Sequence, residues 1–158
     1  MNKLISKTLA VAAVTLVLAA VAVSQDPWTP AQLMTPEQLV KELSSKPAEK
    51  PTLIDVAFRI LYQTARIPGS LYFGDGRDPG TIERLKDWAK SVPKNKNIVI
   101  YCGCCPWDHC PNVRPVFQGL KEMGFTHLRV VEIPNNFGKD WVEKGYPVEK
   151  GYPLEKSN

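Results

Sequence analysis

Long apolar stretches and clusters of basic residues are both scarce in this 158-residue sequence. The longest apolar run, from Leu9 to Val23, has 15 residues, whereas a transmembrane helix needs about 20. The 20 lysines and arginines are scattered along the chain, and the formal net charge is only +4. Nucleic-acid binding usually requires a basic patch. We therefore expect neither a membrane-spanning protein nor a nucleic-acid-binding protein.

The apolar run near the N-terminus has the layout of a secretory signal. Lys3 and Lys7 precede the run, and the small residues Ala22 and Ser24 are spaced as a cleavage signal. We predict that residues 1–24 are a signal peptide, and the absence of a cysteine near the cut argues against a lipoprotein anchor. Cleavage leaves about 134 residues, which is the size of one domain. The formal charge then falls to about +2, and we expect the protein in the bacterial periplasm, without membrane association.

Cysteine is also scarce, and all four cysteines lie in YCGCCPWDHCPN, residues 101–112. In an exported protein, an even number of cysteines usually indicates structural disulfides. Bridges among Cys102, Cys104, Cys105 and Cys110 would close only very small loops and would constrain the chain little. The spacing therefore favours a chemical role for at least part of the cluster.

Patterns typical of strands and helices alternate along the rest of the chain. Short apolar, β-branched runs predict buried strands, and apolar residues at helical spacing predict helices. Such alternation indicates an α/β fold with a central, mainly parallel sheet flanked by helices. The predicted elements are a linker or edge segment at 25–34, a helix capped by Thr35, strands at 52–58, 97–101 and 126–133, helices at 81–91 and 113–124, and a helical turn at 140–144. In these sheets, ligands bind beyond the carboxyl ends of the strands, and Cys102 directly follows the strand at 97–101.

Five segments in the same order resemble the rhodanese-like (sulfurtransferase) domain family. They are TLIDVAFR at 52–59, RIPGSLYF at 66–73, NIVIYC at 97–102, FQGLKEMGFTHLRVVE at 117–132 and NNFGKDWVEKGYPVE at 135–149. The resemblance implies a rhodanese-like three-layer domain over residues 33–150, followed by a tail at 151–158. Asp55 in the first segment is expected to be buried and to orient a loop or a helix end.

The resemblance implies that Cys102 is the catalytic residue and carries a sulfane sulfur as a persulfide. The sulfur would come from a small-molecule donor such as thiosulfate and would pass to a thiophilic acceptor such as a thiol or cyanide. No cofactor is expected, and a periplasmic thiol carrier protein is an expected partner. The loop after Cys102 is longer than the family's usual loop and lacks its usual sequence pattern, so the thiosulfate specificity stays open.

The position of Cys102 between a strand end and a helix start favours a reactive thiolate. A helix N-terminus lowers the pKa of a thiol, and the backbone N–H groups of a curved loop bind anions. Arg114 at the far end of the loop is expected to bind an anionic substrate or to steady the thiolate. Gly103, Trp107 and His109 are candidate substrate-binding or loop residues. Trp107 would shield the sulfur from water or pack ordinarily, and His109 would donate a proton.

The remaining cysteines admit three interpretations. Cys104, Cys105 or Cys110 could act as resolving thiols, which would make the protein a thiol–disulfide oxidoreductase. Alternatively, Cys110 could form a structural disulfide with Cys104 or Cys105. The third interpretation is a metal-binding module with His109 as a spare ligand. Four ligands within nine residues suit tetrahedral zinc poorly, whereas a soft metal such as Cu(I) is less demanding, and no metal ligand is assigned.

Overall fold

A computed structural model describes residues 26–46 and 50–151. The predicted signal peptide at 1–24 and all but the first residue of the predicted tail at 151–158 lie outside the described residues. Within the described ranges, no helix combines the length and the apolar character that crossing a membrane would require.

Strands and helices alternate along the described chain, as predicted. All strand pairs in the five-stranded sheet are parallel, and their order is β1-β5-β4-β2-β3. The predicted α/β fold with a parallel central sheet flanked by helices is therefore confirmed. The strands are β1 (Leu33–Met34), β2 (Thr52–Asp55), β3 (Leu71–Tyr72), β4 (Ile98–Tyr101) and β5 (Leu128–Val131). The α-helices are α1 (Pro36–Leu43), α2 (Arg59–Thr64), α3 (Pro79–Ala89) and α4 (Val113–Glu122).

The sequence patterns located α1 closely and missed α2. The Thr35 hydroxyl accepts the Gln38 backbone N–H at 3.2 Å, and Gln38 Oε1 accepts the Thr35 N–H at 2.8 Å, which is the predicted capping box. α2 occupies a stretch predicted to be irregular. It buries only Tyr62 and leaves Ile60 67% exposed, so its sequence shows no apolar helical period. The segment predicted as a linker or edge supplies β1, which pairs with β5 at one side of the sheet.

The sheet separates two hydrophobic layers, and β4 contributes alternate residues to each. Ile98 and Ile100 belong to the layer that includes the buried residues of α3 and α4. Val99 and Tyr101 belong to the opposite layer, which includes α1. Cys102 continues the first alternation and lies with the α3–α4 layer. The strand thus directs the Cys102 side chain toward the helix that follows the cysteine-rich loop.

The end of the domain is fastened by Arg66. Arg66 is 1% exposed and forms an ion pair with Glu149. Its guanidinium also donates to the carbonyl oxygens of Tyr62 and Gly151. Arg66 therefore links the segment that contains Glu149 and Gly151 to the end of α2.

Candidate active site

The cysteine-rich loop leaves the sheet at the carboxyl end of its central strand. Cys102 directly follows β4 and is 3% exposed. The chain then makes a 3₁₀ turn at Trp107–His109 and enters α4. The predicted placement of Cys102 between a strand end and a helix start is thus observed.

Three of the four thiols converge. The Sγ atoms of Cys102, Cys104 and Cys110 all lie within 4.8 Å of one another. Cys105 Sγ lies 2.9 Å from Cys104 Sγ but outside this group of three. All four cysteines are free thiols in this structure. We refer to Cys102, Cys104 and Cys110 as the thiol triad.

The three thiols of the triad differ in the direction of their pKa shifts. Hydrogen bonds from the thiols of Cys102 and Cys104, followed by the backbone N–H groups of Asn112 and Val113, hold the pKa of Cys110 well below its usual range. The neighbouring sulfurs of Cys102 and Cys110, followed by burial, raise the pKa of Cys104. The pKa shifts of these two thiols therefore have opposite directions, downward at Cys110 and upward at Cys104.

Cys102 is the intermediate member of the thiol triad. A hydrogen bond from Cys104 lowers its pKa, but its own hydrogen bond to Cys110, burial and the Cys110 charge together raise it. The backbone N–H groups of Asn112 and Val113, at the start of α4, lower the pKa of Cys110, and an effect of the α4 N-terminus on Cys102 stays a prediction. The backbone N–H of Cys104 also lowers the pKa of Cys102.

Asn112 is a site residue that the sequence did not reveal. It is fully buried, and its Nδ2 donates to Cys102 Sγ at 3.6 Å and to Cys104 Sγ at 3.7 Å. Its Oδ1 accepts the backbone N–H of Arg77 at 3.3 Å. An asparagine just before a helix is typical of an N-cap, yet this side chain makes no capping bond to α4. The only sequence signal was thus an asparagine at a helix start, and it suggested a different role.

Gly103 allows the loop to lie directly against the segment after β5. Its carbonyl oxygen accepts the Phe137 N–H at 3.1 Å. A Cβ atom at position 103 would clash with Phe137 Cβ and would lie 2.8 Å from Phe137 N. The predicted loop role of Gly103 therefore has a steric basis, since only glycine fits this backbone contact.

Replacing Gly103 with alanine is expected to destabilise the fold by about 1 to 3 kcal/mol, because the added methyl overpacks a backbone contact. Chemical unfolding of the two proteins measures the difference. Gly119→Ala is the matched control, since a Cβ there has its nearest neighbour, Ile82 Cγ2, at 3.8 Å. That helical substitution is expected to stabilise by about 1 kcal/mol. Equal effects from both substitutions would contradict the steric role of Gly103.

Arg114 faces the N-terminal segment. Its Nε donates to Asp26 Oδ1 at 2.7 Å, and its Nη1 donates to the Cys110 carbonyl oxygen at 3.0 Å. The guanidinium also lies over the Trp28 ring, 5.6 Å from its centroid. Within the described ranges its hydrogen bonds thus go to oxygen atoms and none goes to a sulfur. Arg114 fastens the backbone of Cys110, and a contact with a substrate anion stays a prediction.

Trp107 and His109 lie on the outer part of the loop. The Trp107 ring packs 5.4 Å from the Trp28 ring and against the α3–α4 layer, and its backbone N–H donates to the Pro134 carbonyl at 3.2 Å. This is the packing alternative considered for Trp107. His109 is exposed and is not among the residues that converge with the thiols.

A cavity of about 500 Å³ opens beside the loop at the carboxyl edge of the sheet. Asp55, Tyr101, Gly103, Cys104 and Phe137 line it, with residues of α2 and of the helical turn Gly138–Val142. Of the thiol triad, Cys104 is the member that reaches this cavity. A small molecule in the cavity would therefore meet Cys104 first, with Cys102 directly behind it.

Asp55 lies at the buried side of this cavity. It is 2% exposed, and its Oδ1 accepts the Ala57 N–H at 2.8 Å. Asp55 thus orients the chain just before α2, as predicted. Burial raises the pKa of Asp55 to about 7, although the Ala57 N–H, Tyr101 and Arg66 oppose this rise.

A parallel α/β domain with a buried thiol at the carboxyl end of its central strand has the architecture of a sulfur-handling domain. The family model for the rhodanese-like domain matches residues 35–132, which is more than half of the chain. The chain belongs to the rhodanese-like domain family, and the resemblance stated from the five sequence segments is confirmed.

Solved structures share this fold. The solution structure of the rhodanese-like domain of an Anabaena sp. protein is 24% identical, with a TM-score of 0.54 over 80% of this chain and 83% of that chain. A crystal structure of the same Anabaena protein is 20% identical, with a TM-score of 0.53 over 72% of this chain and 79% of that chain. The complex of EanB with hercynine is also 20% identical, with a TM-score of 0.51 over 75% of this chain and 27% of that chain. A search of the curated proteins gave no match.

Proposed function

We propose that the protein transfers sulfane sulfur through a persulfide on Cys102. The rhodanese-like domain indicates activity of the sulfurtransferase type. The observation that carries the finer proposal is the position of Cys102 directly after the central strand, with its Sγ atom within 4.8 Å of Cys110 Sγ. Cys102 thereby combines the family's nucleophile position with an adjacent sulfur that accepts its proton.

In the first half-reaction, Cys102 passes its proton to the Cys110 sulfur and attacks the outer sulfur of a donor such as thiosulfate. A new S–S bond forms on Cys102, the S–S bond of thiosulfate breaks, and sulfite leaves with the bonding electron pair. In the second half-reaction, a thiolate or cyanide attacks the outer sulfur of the persulfide. The Cys102 sulfur leaves as a thiolate and recovers its proton from Cys110, so neither half-reaction needs an oxidant.

The convergence of the thiols favours one alternative second half-reaction. Cys104 Sγ lies within 4.8 Å of Cys102 Sγ. As a thiolate, Cys104 could attack the inner sulfur of the persulfide, forming a Cys102–Cys104 disulfide and releasing hydrosulfide. An external dithiol, such as a periplasmic thiol carrier protein, would then reduce the disulfide and be oxidised in turn. This is the thiol–disulfide oxidoreductase alternative, and Cys110, whose sulfur lies within the same 4.8 Å of Cys102 Sγ, is the second candidate for the attacking thiol.

The proposed setting is the bacterial periplasm. The support is the signal-like sequence at 1–24, which precedes the described residues. In that compartment, a dithiol carrier protein would supply the two electrons that reduce the Cys102–Cys104 disulfide of the alternative.

The proposal is tested by mass spectrometry of the reduced, metal-free protein after incubation with thiosulfate. We expect a gain of one sulfur atom on Cys102, and removal of that atom by cyanide with formation of thiocyanate. The Cys105→Ser variant serves as the matched control and is expected to take up sulfur in the same way. No sulfur uptake, or uptake only on another cysteine, would contradict the assignment of Cys102. A Cys102–Cys104 disulfide with release of hydrosulfide would favour the alternative.

A further inference from the structure

The thiol triad has the spacing of a three-coordinate metal site. Its sulfurs come from the end of β4, the middle of the loop and the start of α4, and all lie within 4.8 Å of one another. Metal–thiolate bonds of about 2.3 Å would place three sulfurs of a trigonal site about 4 Å apart. Side-chain rotations of small amplitude therefore suffice to bring the triad to a shared ion.

The donor set selects the type of metal. The converging group contains three sulfurs and neither an imidazole nor a carboxylate. Structural zinc takes four ligands in a tetrahedron, whereas soft thiolates in a low-coordinate set suit Cu(I). We infer that Cys102, Cys104 and Cys110 form a trigonal site for a soft monovalent ion of the Cu(I) type. Cys105 lies outside the site, although its sulfur is 2.9 Å from that of Cys104.

Three thiolates around a monovalent ion carry a net negative charge together. The groups around the triad suit this charge because they are hydrogen-bond donors. Asn112 Nδ2 donates to Cys102 Sγ at 3.6 Å and to Cys104 Sγ at 3.7 Å. The backbone N–H groups of Asn112 and Val113 donate to Cys110. Each of the three sulfurs thus has a fixed donor, as outer-shell partners of metal ligands usually are. Cys102 and Cys110 are buried, which excludes water from two sides of the ion.

The backbone holds this arrangement together before any ion binds. The Asn112 carbonyl packs so closely on Gly76 that a Cβ at position 76 would lie 2.8 Å from the carbonyl carbon of Asn112. On the opposite side, the Gly103 carbonyl accepts the Phe137 N–H. The beginning and the end of the loop are therefore fixed independently, and the triad spans the gap between them.

The site is tested by titrating the reduced full chain with Cu(I), without oxygen and against the competing chelator bathocuproine disulfonate. We expect one Cu(I) per chain, and an X-ray absorption spectrum with three sulfur neighbours and no nitrogen or oxygen neighbour. Cys102→Ser, Cys104→Ser and Cys110→Ser are each expected to weaken binding by about 100-fold or more, and Asn112→Ala by about 10-fold to 100-fold. Cys105→Ser is expected to leave the affinity unchanged.

Three outcomes would overturn the site: no Cu(I) held against the chelator, an equal loss of affinity in Cys105→Ser, or full affinity in Cys110→Ser. Circular dichroism of each variant shows whether it is folded, and the spectrum of the wild type tests the site without any substitution. The inference does not rest on the proposed function, because Cu(I) binding is measured without a sulfur donor and sulfur uptake without metal. Either result can therefore fail while the other stands.

Discussion

Replacing Cys102 with serine is expected to lower the rate of sulfur transfer from thiosulfate to cyanide by more than about a thousandfold. Serine is close to cysteine in size, so the buried position after β4 stays filled. Its hydroxyl, however, has no accessible anion at neutral pH and cannot form a persulfide. The thiocyanate produced per minute, at several thiosulfate concentrations, separates a loss of kcat from a change of KM. We expect the loss in kcat, because the substitution removes the bond-forming atom.

Two further variants make this result specific. Cys105→Ser changes the neighbouring free thiol and is expected to keep the activity within about threefold, as expected of a substitution outside the reacting group. Cys110→Ser removes the sulfur that accepts the Cys102 proton and is expected to slow the reaction without abolishing it. Persistent activity in Cys102→Ser together with complete loss in Cys110→Ser would show that Cys110, the member with the lowered pKa, is itself the nucleophile.

Comparing Cys102→Ser with Cys110→Ser is informative because the family's nucleophile position and the lowest thiol pKa belong to different members of the thiol triad. Cys102 holds the position that the family resemblance gives to the nucleophile, whereas the surroundings lower the pKa of Cys110 and raise that of Cys102. The lengthened loop is what makes this division available. It delivers a cysteine to the N-terminus of α4, where two backbone N–H groups stabilise an anion. The loop departs from the family's usual pattern, and for that reason the thiosulfate specificity was left open. In the structure, this loop supplies a second sulfur, that of Cys110, whose pKa is lowered.

The sequence predicted the strands and helices around this site well, because these elements depend on local sequence patterns. Buried strands such as β4 are continuous apolar runs, and the capping box of α1 involves residues three positions apart. The end of a strand followed by a helix start placed Cys102 correctly. α2 escaped prediction because it has a single buried residue, Tyr62, and because its start depends on the turn that Asp55 fixes through the Ala57 N–H.

The interior of the loop could not be predicted, because its path is set by contacts between distant segments. Gly103 meets Phe137, and Asn112 meets Gly76. These pairs carry no periodic signal in the sequence, and without them nothing indicates which three of four cysteines converge. The expected effect of the α4 N-terminus was assigned to Cys102 because Cys102 lies between a strand end and a helix start. The structure adds Cys110, whose pKa the backbone N–H groups of Asn112 and Val113 lower.

The second large effect concerns Asp55, whose replacement by asparagine is expected to stabilise the protein at neutral and alkaline pH. Burial raises the pKa of the Asp55 carboxyl from 3.8 to about 7 in the folded state, so folding takes up a proton between these two values. The contribution of Asp55 to stability is therefore greatest below about pH 4 and declines as the pH rises to about 7. Above that, the folded state carries a buried carboxylate, at a cost of about 4 kcal/mol relative to the protonated form.

Asparagine has nearly the same shape and retains a carbonyl oxygen that can accept the Ala57 N–H, which lies 2.8 Å from Asp55 Oδ1. Since it does not ionise, Asp55→Asn is expected to be more stable than the wild type by up to about 4 kcal/mol at pH 8, and by less than about 1 kcal/mol at pH 4. Urea unfolding of both proteins at a series of pH values measures the difference, in which the contributions of all other titrating groups cancel. If the free energies of unfolding of the two proteins differ by the same amount from pH 4 to pH 8, the fold offsets the cost of burying the Asp55 carboxylate, and the prediction is contradicted. A difference that opens over this interval would instead identify Asp55 as a buried carboxyl that is protonated in part near pH 7, at the wall of the cavity that Cys104 shares.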